Sequence, residues 1–142
     1  MKKKANTITI SGQVTDFEGN PIDNCTVALY HADFKTAYET LSDKNGYYTL
    51  IGVEKGCYFA MFALRMKDYP KANIVPTKDM RLEFWAWNVI ADRDLIINPR
   101  YHRLEIYGTS AFRTNQGLMI YTRPMSLGNL LSFSKNASID ES

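Results

Sequence analysis

The sequence predicts an all-β protein, an antiparallel β-sandwich of seven to eight strands. Two observations carry that expectation. Apolar residues recur at every second position in short runs: in "TITISGQVT", Ile8, Ile10, Gly12 and Val14 share one face, and Thr7, Thr9, Ser11, Gln13 and Thr15 the other. Between the runs stand clusters of Gly, Pro, Asn and Asp, the residues whose backbone preferences make turns.

The elements follow in order. "DFEGNPID" closes the first strand with Asp16, Gly19, Asn20 and Pro21. "CTVALY" alternates Cys25, Val27 and Leu29 against Thr26, Ala28 and Tyr30. A third run lies near "TAYETLS", and the Asn45-Gly46 step of "DKNG" tolerates the positive φ of a hairpin. "YYTLIGV" and "GCYFAMFALR" are the next two strands, divided around Glu54, Lys55 and Gly56. Residues 67–78, polar and with Pro70 and Pro76, read as a long loop. Three further strands follow, "RLEFWAWNVI", "YHRLEIYG" and "QGLMIYTR", and Pro99 in "ADRDLIINPR" is expected to end regular pairing between the first two. "SLGNLLSF" suits an edge strand and a helical turn equally. This divides the chain into a flexible N-terminus (1–6), a single sandwich domain (7–133) and a flexible tail (134–142).

The totals bound the function. The 142 residues are enough for one domain with a core of its own, and 45% hydrophobic with 23% charged residues is ordinary for a globular protein. A net charge of +2 is too small to argue for nucleic acid or an anionic membrane. Lys2, Lys3 and Lys4 resemble the start of a secretory signal, but "ANTITISGQV" lacks the apolar run that should follow, and no stretch approaches the ~20 apolar residues of a membrane span. The expected compartment is the cytoplasm by default, or outside the cell if an export signal has been removed. Parity puts Cys25 inward and sets Cys57 with Phe59 and Met61, opposite Tyr58, so the expected state is two free thiols.

The first half resembles the carboxypeptidase regulatory-like domain of the transthyretin-like (prealbumin-like) superfamily. The resemblance rests on "ISGQVTDFEGNPIDNCTVALY" and "TLSDKNGYYTLIGVEKGCYFA", about residues 7–65, with Gly12, Val14, Asp16, Gly19, Pro21, Ile22, Val27, Leu29, Asp43, Gly46, Tyr48, Leu50, Gly56 and Tyr58 at the patterned positions. The second half is similar to small bacterial proteins in which segments like "EFWAWN" and "MIYTRPMSLG" follow this module. The resemblance implies a β-sandwich that serves as an accessory or binding module, with carbohydrate commonly inferred as the ligand of this fold group.

Enzymes on this architecture demand residues that are missing here. An intradiol dioxygenase needs two Tyr and two His around iron, and His31 and His102 stand far apart with no His-x-His pair. A hydroxyisourate hydrolase ends in Tyr-Arg-Gly-Ser, whereas this chain ends in "SIDES". His31 continues the inward parity of Val27 and Leu29, and His102 alternates with Leu104 and Ile106, so both read as structural histidines. Asp92, Asp94 and Asn98 invite a calcium loop, but Ile96 and Ile97 occupy the positions where a further oxygen ligand and Gly belong. No Ser or Cys stands in a nucleophile signature, and "TITISGQVT" has no Lys for an isopeptide crosslink. The chain is therefore read as non-catalytic, with no cofactor and no metal.

The aromatic residues remain. Parity across the last three strands groups Leu82, Phe84 and Ala86 with Leu104, Ile106, Leu118 and Ile120 as an inward set free of charge. The opposite set contains the candidate binding residues Trp85, Trp87, Tyr101, Arg103, Tyr107, Tyr121 and Arg123. An outward face of aromatic rings interleaved with Arg and Glu suits three arrangements: a carbohydrate platform, a homodimer or protein-partner interface, or a face covered by residues 67–78 or the tail. The inverse assignment, with Trp85 and Trp87 in the core, is the competing reading of the strand.

Overall fold

The computed structural model describes residues 6–69 and 75–136. Residues 1–5, 70–74 and 137–142, which include most of both expected flexible ends, lie outside the described residues. Nine strands and one helix run in the order β1 Thr7–Gln13, β2 Thr26–Tyr30, β3 Thr36–Leu41, β4 Tyr47–Glu54, β5 Gly56–Leu64, β6 Phe84–Ala91, β7 Leu95–Ile96, β8 Glu105–Thr114, β9 Gly117–Met125 and α1 Leu127–Asn136. A three-stranded sheet, β4-β1-β7, faces a four-stranded sheet, β3-β2-β5-β6, while β8 and β9 pair only with each other. The chain is an all-β sandwich, with the antiparallel pairing that the alternation predicted except for one short parallel contact between β1 and β7. "SLGNLLSF" resolves as the helix.

The core forms where the inner faces of the two sheets meet. Ile8, Ile10 and Val14 from the first strand region meet Cys25, Val27 and Leu29, with Leu50, Val53, Tyr58, Met61 and Val89 closing the interior. Ile8, Ile10, Val14, Cys25, Val27 and Leu29 follow period-two alternation, which delivers one apolar row per strand to the space between sheets, whereas Leu50 and Val53, and Tyr58 and Met61, both reach it across an odd spacing. The turn chemistry is equally local. Asp16 accepts hydrogen bonds from Asn20 N (2.8 Å) and Asn20 Nδ2 (3.0 Å), and Asp43 Oδ1 accepts from Asn45 N (2.8 Å) and Tyr47 N (2.9 Å). Both cysteines are free, Cys25 buried and Cys57 exposed. Burial, only partly offset by the Tyr101 hydroxyl, pushes the Cys25 thiol up to about 11.

Regular strand pairing ends at Ile96, before Pro99, as expected, although individual backbone hydrogen bonds continue past it. Beyond β7 the backbone stays alongside β1: Ile97 N donates to Ser11 O (2.9 Å), Thr15 N to Pro99 O (3.0 Å) and Tyr101 N to Thr15 O (3.2 Å). Asp94 and Asn98 are part of the same seam, because their Oδ1 atoms accept from Thr9 N (2.8 Å) and Gln13 N (2.9 Å). Two of the three residues that suggested a calcium loop thus accept from backbone N–H groups of β1, while Asp92 pairs with Arg93 (3.2 Å). Pro99 fits because its carbonyl, not its missing N–H, faces β1.

Three expectations change. Tyr101 is fully buried rather than outward, since it belongs to the seam along β1 and not to β8. Its ring fills the core, and its hydroxyl accepts from Arg65 N (2.9 Å) and lies 3.4 Å from Cys25 Sγ. Leu104, Ile106, Leu118 and Ile120 are 53%, 64%, 68% and 63% exposed, because β8–β9 stands apart from a sandwich already closed by the other strands. His31 is exposed because β2 ends at Tyr30 and His31 already belongs to the turn that leads to β3, where Phe34 N donates to its carbonyl (3.0 Å).

Gly12 marks the closest approach in the seam. A Cβ there would lie 1.8 Å from Ile97 O, whereas one at Gly56 meets nothing within 4 Å. Gly12→Ala should therefore cost more than ~3 kcal/mol and lower Tm by more than ~10 °C, with Gly56→Ala changing stability by less than ~0.5 kcal/mol. Thermal unfolding of the two variants beside the parent checks this.

Candidate functional site

β6 is the outer strand of the four-stranded sheet, and its pleat separates two sets. Leu82, just before the strand, is buried, and Phe84 and Ala86 pack on the core, so Trp85 and Trp87 project outward. The parity then switches. Ala86 and Val89 both reach the core across an odd spacing, and Asn88 between them takes the left-handed conformation at φ 57°. Asn tolerates that region better than other non-glycine residues. On the paired strand, Tyr58 and Met61 switch in the same way, which brings both Phe59 and Phe62 to the outer face.

The outer face is consequently a connected set of rings. The indoles of Trp85 and Trp87 are stacked with centroids 5.0 Å apart and planes 4° from parallel. Phe62 lies 4.7 Å from Trp85, Phe59 5.4 Å from Trp87, and Phe34 5.0 Å from Phe59. Tyr30 sits 6.1 Å from both Trp85 and Phe62. Trp85 is half-buried by these neighbours, while Trp87 is 52% exposed. Tyr30, Phe34, Phe59 and Phe62 were outside the residues expected from sequence. Tyr30 was readable as outward from its alternation with Leu29 and Phe59 from its alternation with Tyr58, but the switch in β5 hid Phe62 and turned Met61, grouped with Phe59 by parity, into the core.

Between this face and β8 lies a cleft of about 730 Å3, lined by Trp85 and Trp87 on one side and by Glu105, Tyr107 and Thr109 on the other, with Glu83 and Arg100 at its ends. Tyr107 Oη donates to Glu83 Oε1 (2.8 Å), tying the hairpin to the start of β6. Trp85 Nε1 makes a longer contact with the same oxygen (3.4 Å), and Glu83 Oε2 is buried without a protein partner. Glu105 accepts from His102 N (2.9 Å). Burial raises the Glu105 pKa, the His102 N–H opposes that, and the Glu83 charge adds to the rise. Burial and the neighbouring Glu83 likewise hold the Tyr107 phenol in its protonated form.

Of the seven residues expected at the site, the cleft brings together Trp85, Trp87 and Tyr107. The β8–β9 register places Tyr107 opposite Arg123 and Ser110 opposite Tyr121, so Tyr121 and Arg123 share a hairpin face with Tyr107 but extend beyond the cleft. Arg103 is exposed in the segment before β8, and Tyr101 is in the core. His102 is also not where alternation put it: its Nε2 is 3.5 Å from Glu18 Oε2. Asp16, Glu18 and His102 offer ligand atoms within 4.8 Å of one another, a metal-capable group that sequence spacing did not suggest. The Asp16 carboxylate is already engaged by Asn20 as the brace of its turn.

With this geometry in place, the chain can be compared with known proteins. Residues 9–69 match the carboxypeptidase regulatory-like domain. That regulatory-like match runs from β1 to just past β5 and stops before β6, so it covers Tyr30, Phe34, Phe59 and Phe62 but neither tryptophan. No curated protein matches the chain. Among solved structures, a candidate carbohydrate binding protein from Bacteroides uniformis aligns at 9% identity and a TM-score of 0.46, over 84% of this chain and 53% of its own. This chain therefore spans about half the length of that protein. A DUF3823 family protein from Parabacteroides merdae aligns at 11% identity and a TM-score of 0.45, over 93% of this chain and 87% of its own. No helix among the described residues is long and apolar enough to cross a membrane.

The raised pKa of Glu105 has a defined sign. A carboxyl whose folded pKa lies above its unfolded value binds a proton more tightly when folded, so its contribution to stability is complete below the unfolded value of about 4.5 and is lost as pH rises through the folded value. Asp16 and Asp23, whose pKa values are lowered, act in the opposite direction. The difference in unfolding free energy between Glu105→Gln and the parent isolates the single site. The variant should gain relative stability as pH rises above about 4.5, measured by denaturant titration from acid to neutral pH.

Proposed function

We propose that this chain is a non-catalytic binding module that takes a saccharide into the cleft between the Trp85–Trp87 pair and β8. One observation carries the reading: an exposed indole forms one wall of a cleft that also holds the polar side chains of Glu83, Arg100, Glu105 and Thr109, beside the apolar Phe84 and Ile106. A pyranose ring presents apolar C–H faces and a rim of hydroxyl groups. Trp87, with one face covered by Trp85, offers the other to such a ring. Glu83, Arg100, Glu105 and Thr109 line the same cleft and supply donors and acceptors for the hydroxyl rim. Carbohydrate is also the ligand class that the resemblance of the first half implied.

A second reading follows from the rings that lie away from the cleft. Phe34, 55% exposed, continues the aromatic surface through Phe59 with few polar groups, which favours a protein partner or a second copy on that part of the sheet.

Glycan-array screening followed by tryptophan-fluorescence titration tests the first reading. Trp87→Ala should weaken saccharide binding by at least ~10-fold while moving Tm by less than ~3 °C, because the ring is half exposed and packs only on its neighbours' edges and one stacked face. Trp85→Ala also loses the contacts with Phe62 and Tyr30 and should lower Tm more. A chain that binds no glycan, and whose solution mass falls on Trp87→Ala, would select the second reading.

A further inference from the structure

We infer that the β8–β9 hairpin is a self-association surface, through which two copies of this chain pack one apolar hairpin face against the other. The hairpin is a separate two-stranded sheet of ten- and nine-residue strands. Such a ribbon is marginal in water unless a face is covered. Its register, with a shift between Tyr107 and Ser110, divides the side chains into two faces. One begins at the cleft with Tyr107 and carries Arg123, Tyr121 and the exposed Phe112–Met119 pair, with Glu105 and Arg123 as its charges. The other groups Ile106 with Pro124, Ala111 with Ile120, and Leu118 with Arg113. On this second face Ile106, Leu118 and Ile120 are 64%, 68% and 63% exposed, the pattern of a core without its other half.

Area and charge point to a second copy as the occupant. Residues of this sequence outside the described ones contain only Met1, Ile74 and Ile139 as large apolar side chains, too few to cover the face. A ribbon ~30 Å long and ~10 Å wide offers on the order of 500 Å2 of accessible surface per face, so two copies hide ~1,000 Å2, the threshold for a specific interface. Arg113 is the face's one charged residue, placed near the hairpin tip. A twofold, antiparallel approach sends the two Arg113–Leu118 pairs to opposite ends, each toward the other copy's Ile106–Pro124 pair, and leaves Ala111 and Ile120 to meet in between. A face so nearly uncharged asks for an apolar partner of the same shape, and a second copy provides one.

Sedimentation equilibrium of the full chain from ~1 to ~200 µM reads its mass against the 16.3 kDa protomer. The inference expects a protomer–dimer equilibrium in this range, the protomer alone for the double variant Leu118→Lys, Ile120→Lys, and parental behaviour for Met119→Lys on the other hairpin face. Amide exchange of β9 in the unsubstituted chain, slower at high than at low concentration, reads the same contact without relying on any variant's folding. A protomer at every concentration overturns the inference, as does a dimer that the double variant leaves intact. A protomer that instead floats with phosphatidylcholine–phosphatidylglycerol vesicles overturns it in favour of a lipid surface. Trp87→Ala should leave the mass unchanged, which separates this contact from the aromatic face.

Discussion

The seam between β1 and residues 94–101 is the constraint on which the rest depends. β1 is hydrogen-bonded on one side to β4, and on the other it receives a segment that runs parallel to it with only two residues in regular strand pairing. Parallel pairing over so short a span leaves backbone donors unmet, and Asp94 Oδ1 and Asn98 Oδ1 satisfy two of them on Thr9 N and Gln13 N. The absence of a side chain at Gly12 lets the Ile97 carbonyl pass where a Cβ would stand. Tyr48 Oη then donates to that same Ile97 carbonyl (2.6 Å), so β4, β1 and the seam converge on one peptide group. Residues 94–101 are positioned by this line of contacts, and with them the point from which the chain leaves for the hairpin.

At the far end of the seam, Tyr101 connects it to the other sheet. Its hydroxyl meets Arg65 N just beyond β5, and the Arg65 guanidinium bonds Asp68 (2.7 Å) and Asp23. Asp68, itself buried, also accepts from Arg81 (2.8 Å), which fixes the approach to β6. Burying this much charge is favourable only because each group is paired, and losing one partner would strand another. The polar chain from Tyr101 through Arg65 and Asp68 to Arg81 thus sets where β6 begins, and with it the height of Glu83, Trp85 and Trp87 on the sheet.

Much of the sandwich was legible because its causes are local. Asp16, Asn20 and Pro21 make their turn by their own chemistry, and alternation states which side chains go inward in β1 and β2, each of which is hydrogen-bonded on both sides. The same logic placed Leu82, Phe84 and Ala86 correctly. It failed where the deciding contact is remote. Nothing near Pro99 in sequence says that its carbonyl faces β1 and accepts a hydrogen bond past the end of regular pairing. Tyr101 looked like the first residue of an alternating strand because Arg103 and Glu105 continue the count, yet β8 begins at Glu105 and the intervening residues turn. Alternation in β8 and β9 showed that an apolar face exists but carries no information on which surface it meets.

The site was half legible for a related reason. A single strand announces its outward aromatics, so Trp85 and Trp87 could be read, but a cleft needs two walls, and the second wall is the hairpin that parity had placed inside the sandwich. Its position follows from the Glu83–Tyr107 hydrogen bond, a pairing of residues 24 apart whose only sequence trace is that both are able to make it. Placing Glu83 there has a cost that shapes the site. One carboxylate oxygen is occupied by the hairpin, the other is buried and unpartnered, and the charge bears on Glu105 across the cleft. A group so arranged is stabilised by whatever brings a hydroxyl or amide donor between Trp87 and β8, so the contact that closes the cleft is also the one that leaves it wanting a ligand.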